Sequence, residues 1–91
     1  MTEQRAPALA ANYRHDDPDA WDVARAVAGD ARAFTDLVER LEVRVYRFIL
    51  RQVSAVTAAE DLTQDTFLEV YRNLHRFQGA SKFSTWVMGI A

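Results

Sequence analysis

Between residues 31 and 53, Phe34, Leu37, Val38, Leu41, Val45, Phe48 and Ile49 recur at helical spacing. Such a stripe is what a helix needs to bury one face, so the pattern predicts a helix from Ala31 to Val53. Val43, Tyr46, Leu50 and Val53 form an adjoining stripe, which predicts cover on a second side. Arg40, Arg44, Arg47 and Arg51 occupy the remaining side, either as a solvated exterior or as a stripe meeting phosphate or an acidic surface. A second helix is predicted over residues 58–75, with Thr63, Phe67, Val70, Tyr71 and Leu74 facing the core. Thr57 and Glu60 have the spacing of a capping box at its start. Upstream, Asp17 and Pro18 have the chemistry of an N-cap and first helical residue, and predict a short helix. Its buried edge would be Trp21, Ala24 and Val27 or Ala28; Gly29 would end it and Asp30 would cap the next helix. After Arg76 a loop leads to a last helix, capped by Ser81 or Ser84. With no strand alternation, the fold class is all-α: a compact bundle of three helices and the beginning of a fourth.

Two stretches carry more polarity than packing requires. On the 58–75 helix, the side away from the core holds Asp61, Gln64, Asp65, Leu68 and Arg72. A single exposed leucine is ordinary on a protein surface. One ringed by carboxylates, an amide and a guanidinium has the apolar centre and polar rim of a partner-binding face. In the second stretch Phe77, Phe83 and Trp86 are interleaved with Gln78, Gly79, Ala80, Ser81, Lys82, Ser84 and Thr85. Rings offer stacking platforms to unstacked bases, short polar groups read base edges, and lysine meets phosphate. Phe77 continues the buried stripe from Leu74 and is assigned to the core; Phe83 and Trp86 suit either role.

Composition narrows the classes. The chain of 91 residues is one small domain, and 49% apolar residues suffice for a folded core. No run approaches the roughly 20 apolar residues of a membrane span, and the N-terminus lacks the pattern of a secretion signal. The absence of cysteine excludes disulfides and thiolate metal sites and fits a cytoplasmic chain. A net charge of −2 argues for local, weak contact with nucleic acid, since a nonspecific duplex binder is usually basic. Residues 1–16 lack helical periodicity and are predicted to form a flexible arm before a helical domain at 17–91. There is no phosphate-binding loop or nucleophile motif, and His15 and His75 lack ligand spacing with other donors. Asp61 and Asp65, one turn apart, make a poor cage for a hard cation. No enzyme, cofactor or metal is expected.

The run AEDLTQDTFLEVYRNLHRF from Ala59 to Phe77, continued by QGASKFSTWVMGIA, resembles region 2 of bacterial sigma factors, specifically the extracytoplasmic-function (ECF) group. The resemblance extends upstream through GDARAFTDLVER and VYRF, and covers roughly Trp21 to Ala91. It implies that the helix matching 58–75 docks on the clamp helices of the polymerase β′ subunit, with Asp61, Gln64, Asp65 and Leu68 on the docking motif. It also implies that Phe77 to Trp86 open the promoter minus-ten element and hold a flipped base of the non-template strand. In that scheme Gln78, Gly79, Ala80, Ser81 and Lys82 form the variable specificity loop, with Phe83, Ser84, Thr85 and Trp86 beside it. An anti-sigma factor covering the same surfaces is a further implied partner. Members of the group continue past the segment matching Ile90 and Ala91 into more of this helix, a linker and a helix-turn-helix domain, parts expected to be absent here. The other reading of the residues is a helical protein-interaction domain whose aromatic loop is merely core.

Overall fold

The computed structural model describes residues 13–91. Four α-helices follow one another: α1 (Ala20–Val27), α2 (Ala31–Val53), α3 (Val56–Arg72) and α4 (Phe83–Ile90), with a short 3₁₀ turn at Leu74–Arg76. Among the described residues there is no strand. The expected arm at 1–16 lies largely outside the described residues; Tyr13, near its end, packs against Phe77.

The central element is α2, which packs against both α1 and α3, while α4 packs on α3. Leu37, Leu41, Val45 and Ile49 of α2 are buried, as its apolar period predicts, and Ala33 joins them at the N-terminal end. Phe34, Val38, Tyr46, Phe48 and Leu50 pack against that core from its flanks. Of the adjoining stripe, Val43 and Val53 stay exposed. The N-terminus of α2 is capped as its sequence predicts: Asp30 accepts from the N–H groups of Arg32 at 3.0 Å and Ala33 at 3.2 Å. Such a cap stabilises a helix by about 1 kcal/mol. Gly29, at φ 105°, supplies the left-handed residue that separates α1 from α2.

The buried edge of α1 differs from the expected one. Val23 and Ala24 point inward, whereas Trp21 is 45% exposed and Val27 is also exposed. The face turned inward is set by how α1 packs on α2. The start differs as well: Asp17 and Pro18 belong to a preceding turn, and the N-cap is Asp19, without a side-chain cap. That shift frees both aspartates for other partners. The buried carboxylate of Asp19 accepts from Arg40 Nε at 3.1 Å and Nη2 at 2.9 Å, and Arg40 Nη2 also reaches Asp22 at 2.8 Å. Arg40 therefore fastens α2 to α1 rather than belonging to a free arginine stripe.

No capping box forms on α3. The helix begins at Val56 with Ala55 as N-cap and no side-chain cap, so Thr57 lies inside its first turn. Ser54, at φ 58°, makes the reversal between α2 and α3 in two residues, and this tight connection sets the earlier start. Ala59, Thr63, Thr66, Phe67 and Val70 form the buried side of α3. The two threonines satisfy their hydroxyls by donating to the carbonyls of Ala59 at 2.6 Å and Leu62 at 2.8 Å. Tyr71, expected in the core, is 63% exposed and pairs edge-to-face with Phe34, with ring centroids 5.1 Å apart.

Candidate functional site

Two surfaces collect the residues singled out by the sequence. On α3, Asp61, Gln64, Asp65, Leu68 and Arg72 all lie exposed, and Leu68 is 51% accessible. An open groove between α2 and α3 runs alongside, lined by Val38, Glu42, Gln64, Phe67, Leu68 and Tyr71. It continues past Val43 and Tyr46 towards Asp61. The apolar strip is thus broader than Leu68: Val43 and Tyr71 extend it, with Glu42, Glu60, Asp61 and Gln64 along its edge. Tyr71 and Val43 were missed because their helical positions match a core stripe, and only the placement of α2 against α3 leaves them outside.

The second surface is the loop between the 3₁₀ turn and α4. Gln78, Ala80 and Lys82 are exposed, Gly79 and Ser81 half-buried. Gly79 adopts φ 79°, a left-handed conformation that a side chain would strain. Rings at its two ends form an aromatic pedestal. Phe77 meets Phe83 edge-on with centroids 5.4 Å apart, and Trp86 lies 5.2 Å from Phe77 and 5.8 Å from Phe83. The two roles left open for these rings now separate. Phe83 is 1% exposed, so its ring belongs to the core and is not offered to a ligand in this conformation. Trp86 is half-buried, beside the exposed Thr85 and half-buried Ser84.

The cap of α4 also differs from expectation. Neither Ser81 nor Ser84 caps it; Lys82 is the N-cap residue, without a side-chain bond, and Ser81 Oγ donates to the Lys82 carbonyl at 3.1 Å. The first N–H of the helix, on Phe83, is instead taken by Asp17 Oδ2 at 2.8 Å. Asp17 was missed because a buried carboxylate bonded across the fold has the same local signature as an ordinary N-cap before Pro18.

The electrostatics of the described residues is mostly that of short surface pairs. Arg25 beside Asp30 holds that carboxyl below its ordinary range, aided by the Ala33 N–H. Arg14 does the same to Asp16, held at about 2. Among the described residues no three His, Cys, Asp or Glu side chains gather as metal ligands, and no helix is long and apolar enough to cross a membrane.

A family model for sigma-70 region 2 matches residues 37–91, which span most of α2, all of α3, the loop and α4. The chain belongs to the sigma-70 region 2 family. Similar proteins include the ECF RNA polymerase sigma factor SigW of Bacillus subtilis, 38% identical over 69% of this chain and 34% of that protein. The RNA polymerase sigma-H factor of Pseudomonas aeruginosa is 39% identical over 76% of this chain and 36% of its own length. The ECF sigma factor BldN of Streptomyces coelicolor is 42% identical over 76% of this chain and 26% of its own. This region 2 chain therefore spans about a third of the length of the curated relatives it matches. No solved structure matches it significantly. Both surfaces lie inside the matched segment, whereas Tyr13, Asp17 and α1 precede it.

Proposed function

We propose that this region 2 domain docks on core RNA polymerase through the outer face of α3 and opens the promoter minus-ten element through the loop at 78–82. The observation that carries the reading is Leu68, half accessible on a helix whose other side supplies the core, with Asp61, Gln64 and Asp65 around it. A helix needs one apolar stripe to fold, and Leu68 lies outside it. The acidic rim suits a basic partner surface, the expected counterpart being the β′ clamp helices, and Arg72 lies at the C-terminal end of the same face. An anti-sigma factor would compete for these residues.

The loop suits the second task. Polar Gln78, Ser81 and Lys82 lie in a loop bounded by packed rings, and a base taken out of its stack costs a few kcal/mol that stacking and hydrogen bonds must return. Trp86 is the one ring of the three that is not fully buried, and Phe77 and Phe83 pack against it. No reaction is assigned to the domain, and it would work in the cytoplasm, where the polymerase is.

The burial of Phe83 favours, for that residue, the second reading: a protein-interaction domain whose aromatic loop is core. A pull-down with core RNA polymerase, paired with anisotropy on a labelled non-template strand, separates the two. Retention of the polymerase together with a preference for single strand over duplex is the expected result. Retention without strand binding would leave only the interaction domain.

A further inference from the structure

The turn before α1 does something that the helical pattern does not require. Asp17 is only 6% exposed, and its two carboxylate oxygens serve different parts of the chain. Oδ1 accepts from the Asp19 N–H at 2.9 Å, a local bond that orients the carboxylate from within its own turn. The backbone of that turn is held by the Asp17 N–H on the Arg14 carbonyl and the Ala20 N–H on the Asp17 carbonyl, both at 3.2 Å. Oδ2 crosses the fold to the Phe83 N–H at 2.8 Å. That N–H is one of those an α-helix leaves without an internal partner, and α4 has no side-chain cap of its own.

The same stretch also reaches the other end of the loop. Tyr13 stacks on Phe77, with ring centroids 5.4 Å apart and planes 15° from parallel. Phe77 precedes the loop and Phe83 follows it, so residues 13–17 touch both of its ends. Between those ends the loop has little to hold it: among the described residues, the one side-chain hydrogen bond made by Gln78 to Lys82 is that of Ser81 to the adjacent carbonyl. Its shape is therefore set from its ends.

We propose that Asp17 is a positioning residue for the loop from Gln78 to Lys82, acting with Tyr13 to hold both of its ends at the aromatic pedestal. The proposal rests on the strand-binding reading for its consequence: strand affinity depends on a carboxylate that does not touch the strand. A charged acceptor on a helix N–H is stronger than a neutral one and lies at the favourable end of the helix dipole. Without it the Phe83 N–H is buried and unpaired, and the first turn of α4, where the Trp86 N–H bonds the Lys82 carbonyl at 3.1 Å, loses its anchor.

The test uses the full chain, residue-resolved amide hydrogen exchange, and anisotropy with a labelled single strand of non-template minus-ten sequence. Asp17→Ala should speed exchange at Phe83 and Trp86 by about tenfold and weaken strand binding by about tenfold, the worth of one charged hydrogen bond. Val45 and Ile49, in the middle of α2, should keep their protection. Asp17→Asn retains one oxygen acceptor and should recover part of both effects; Tyr13→Phe keeps the stack and should match the parent chain, whereas Tyr13→Ala should not. Arg14→Ala, on the exposed side of the turn, serves as the control. Unchanged exchange at Phe83 and Trp86 in Asp17→Ala would overturn the proposal. So would equal loss in the Asn and Ala variants accompanied by loss of protection in α2, which would make Asp17 a requirement for folding alone. If Asp17→Ala does not fold, Asp17→Asn and Tyr13→Ala decide by the same readouts. If the parent chain does not prefer single strand, the strand-binding reading fails, and the exchange data alone decide whether Asp17 positions the loop.

Discussion

Leu68 shows how one residue can be assigned by what its own fold does not ask of it. Half exposed on α3, it contributes little to the core, so Leu68→Ala should change stability by no more than about 0.5 kcal/mol. Its affinity for core polymerase should fall by roughly tenfold if it is the centre of the docking face. Thermal melting and a quantitative pull-down on the same sample check both halves; a melting loss with normal binding would move the docking face elsewhere. Asp30 makes a different prediction. The Arg25 hydrogen bond, then the Ala33 N–H, hold its folded carboxyl below the unfolded value of about 3.9. A depressed carboxyl stabilises the fold above the unfolded value and loses that contribution as pH falls through the folded one. Asp16, held at about 2 by Arg14, acts in the same direction. Melting temperature should therefore drop as pH falls from about 4 to about 2. Asp30→Asn, which keeps an acceptor for the helix N–H groups but no charge, should start lower at neutral pH and fall less.

At the scale of elements, α2 was legible to its ends. Its apolar period is long, Gly29 and Asp30 mark its start, and a pattern repeated over several turns outweighs local accidents. The caps of α3 and α4 were not legible. Thr57 and Glu60 offer a capping box, and Ser81 and Ser84 offer caps, yet α3 starts earlier because of the tight turn at Ser54. For α4 the cap comes from Asp17, sixty-six residues away in sequence. Capping signals are local, and a partner from elsewhere in the fold displaces them. The loop between these helices carries its own prediction: exchanging Gln78 to Lys82 together for another five-residue loop should change which base of the strand is preferred, while Trp86→Ala should weaken all strands alike. Binding of strands varied one base at a time measures this, with circular dichroism on each variant to separate reading from folding. An unchanged base preference after the exchange would remove the loop from specificity.

For the whole molecule, a net charge of −2 opposes duplex binding, and with Arg40 fastened to α1 the exposed stripe on α2 is reduced to Arg44, Arg47 and Arg51. Binding of the domain to duplex should be weak and should decline further as salt rises, which an anisotropy titration at several salt concentrations measures. Tight binding that ignores salt would contradict the reading. The family and the all-α class were legible because amphipathic periods and an ordered run of motifs are properties of the chain itself. So was the exposure of Asp61, Gln64, Asp65 and Leu68, since a helix that buries Thr63, Phe67 and Val70 must turn them away. Where two helices leave a gap is not such a property. Tyr71 and Val43 lie on stripes that would suit a core, yet they line an open groove because of how α2 and α3 meet. Phe83 and Trp86 had equal claims to stacking and to packing, and only the seating of α4 buried one and left the other half open. Asp17 is the sharpest case: local sequence makes it a helix cap, and it does cap a helix, but one that begins sixty-six residues later. Periodicity determines which face of an element is apolar; which neighbour covers that face, and which distant N–H a carboxylate finds, depends on long-range packing.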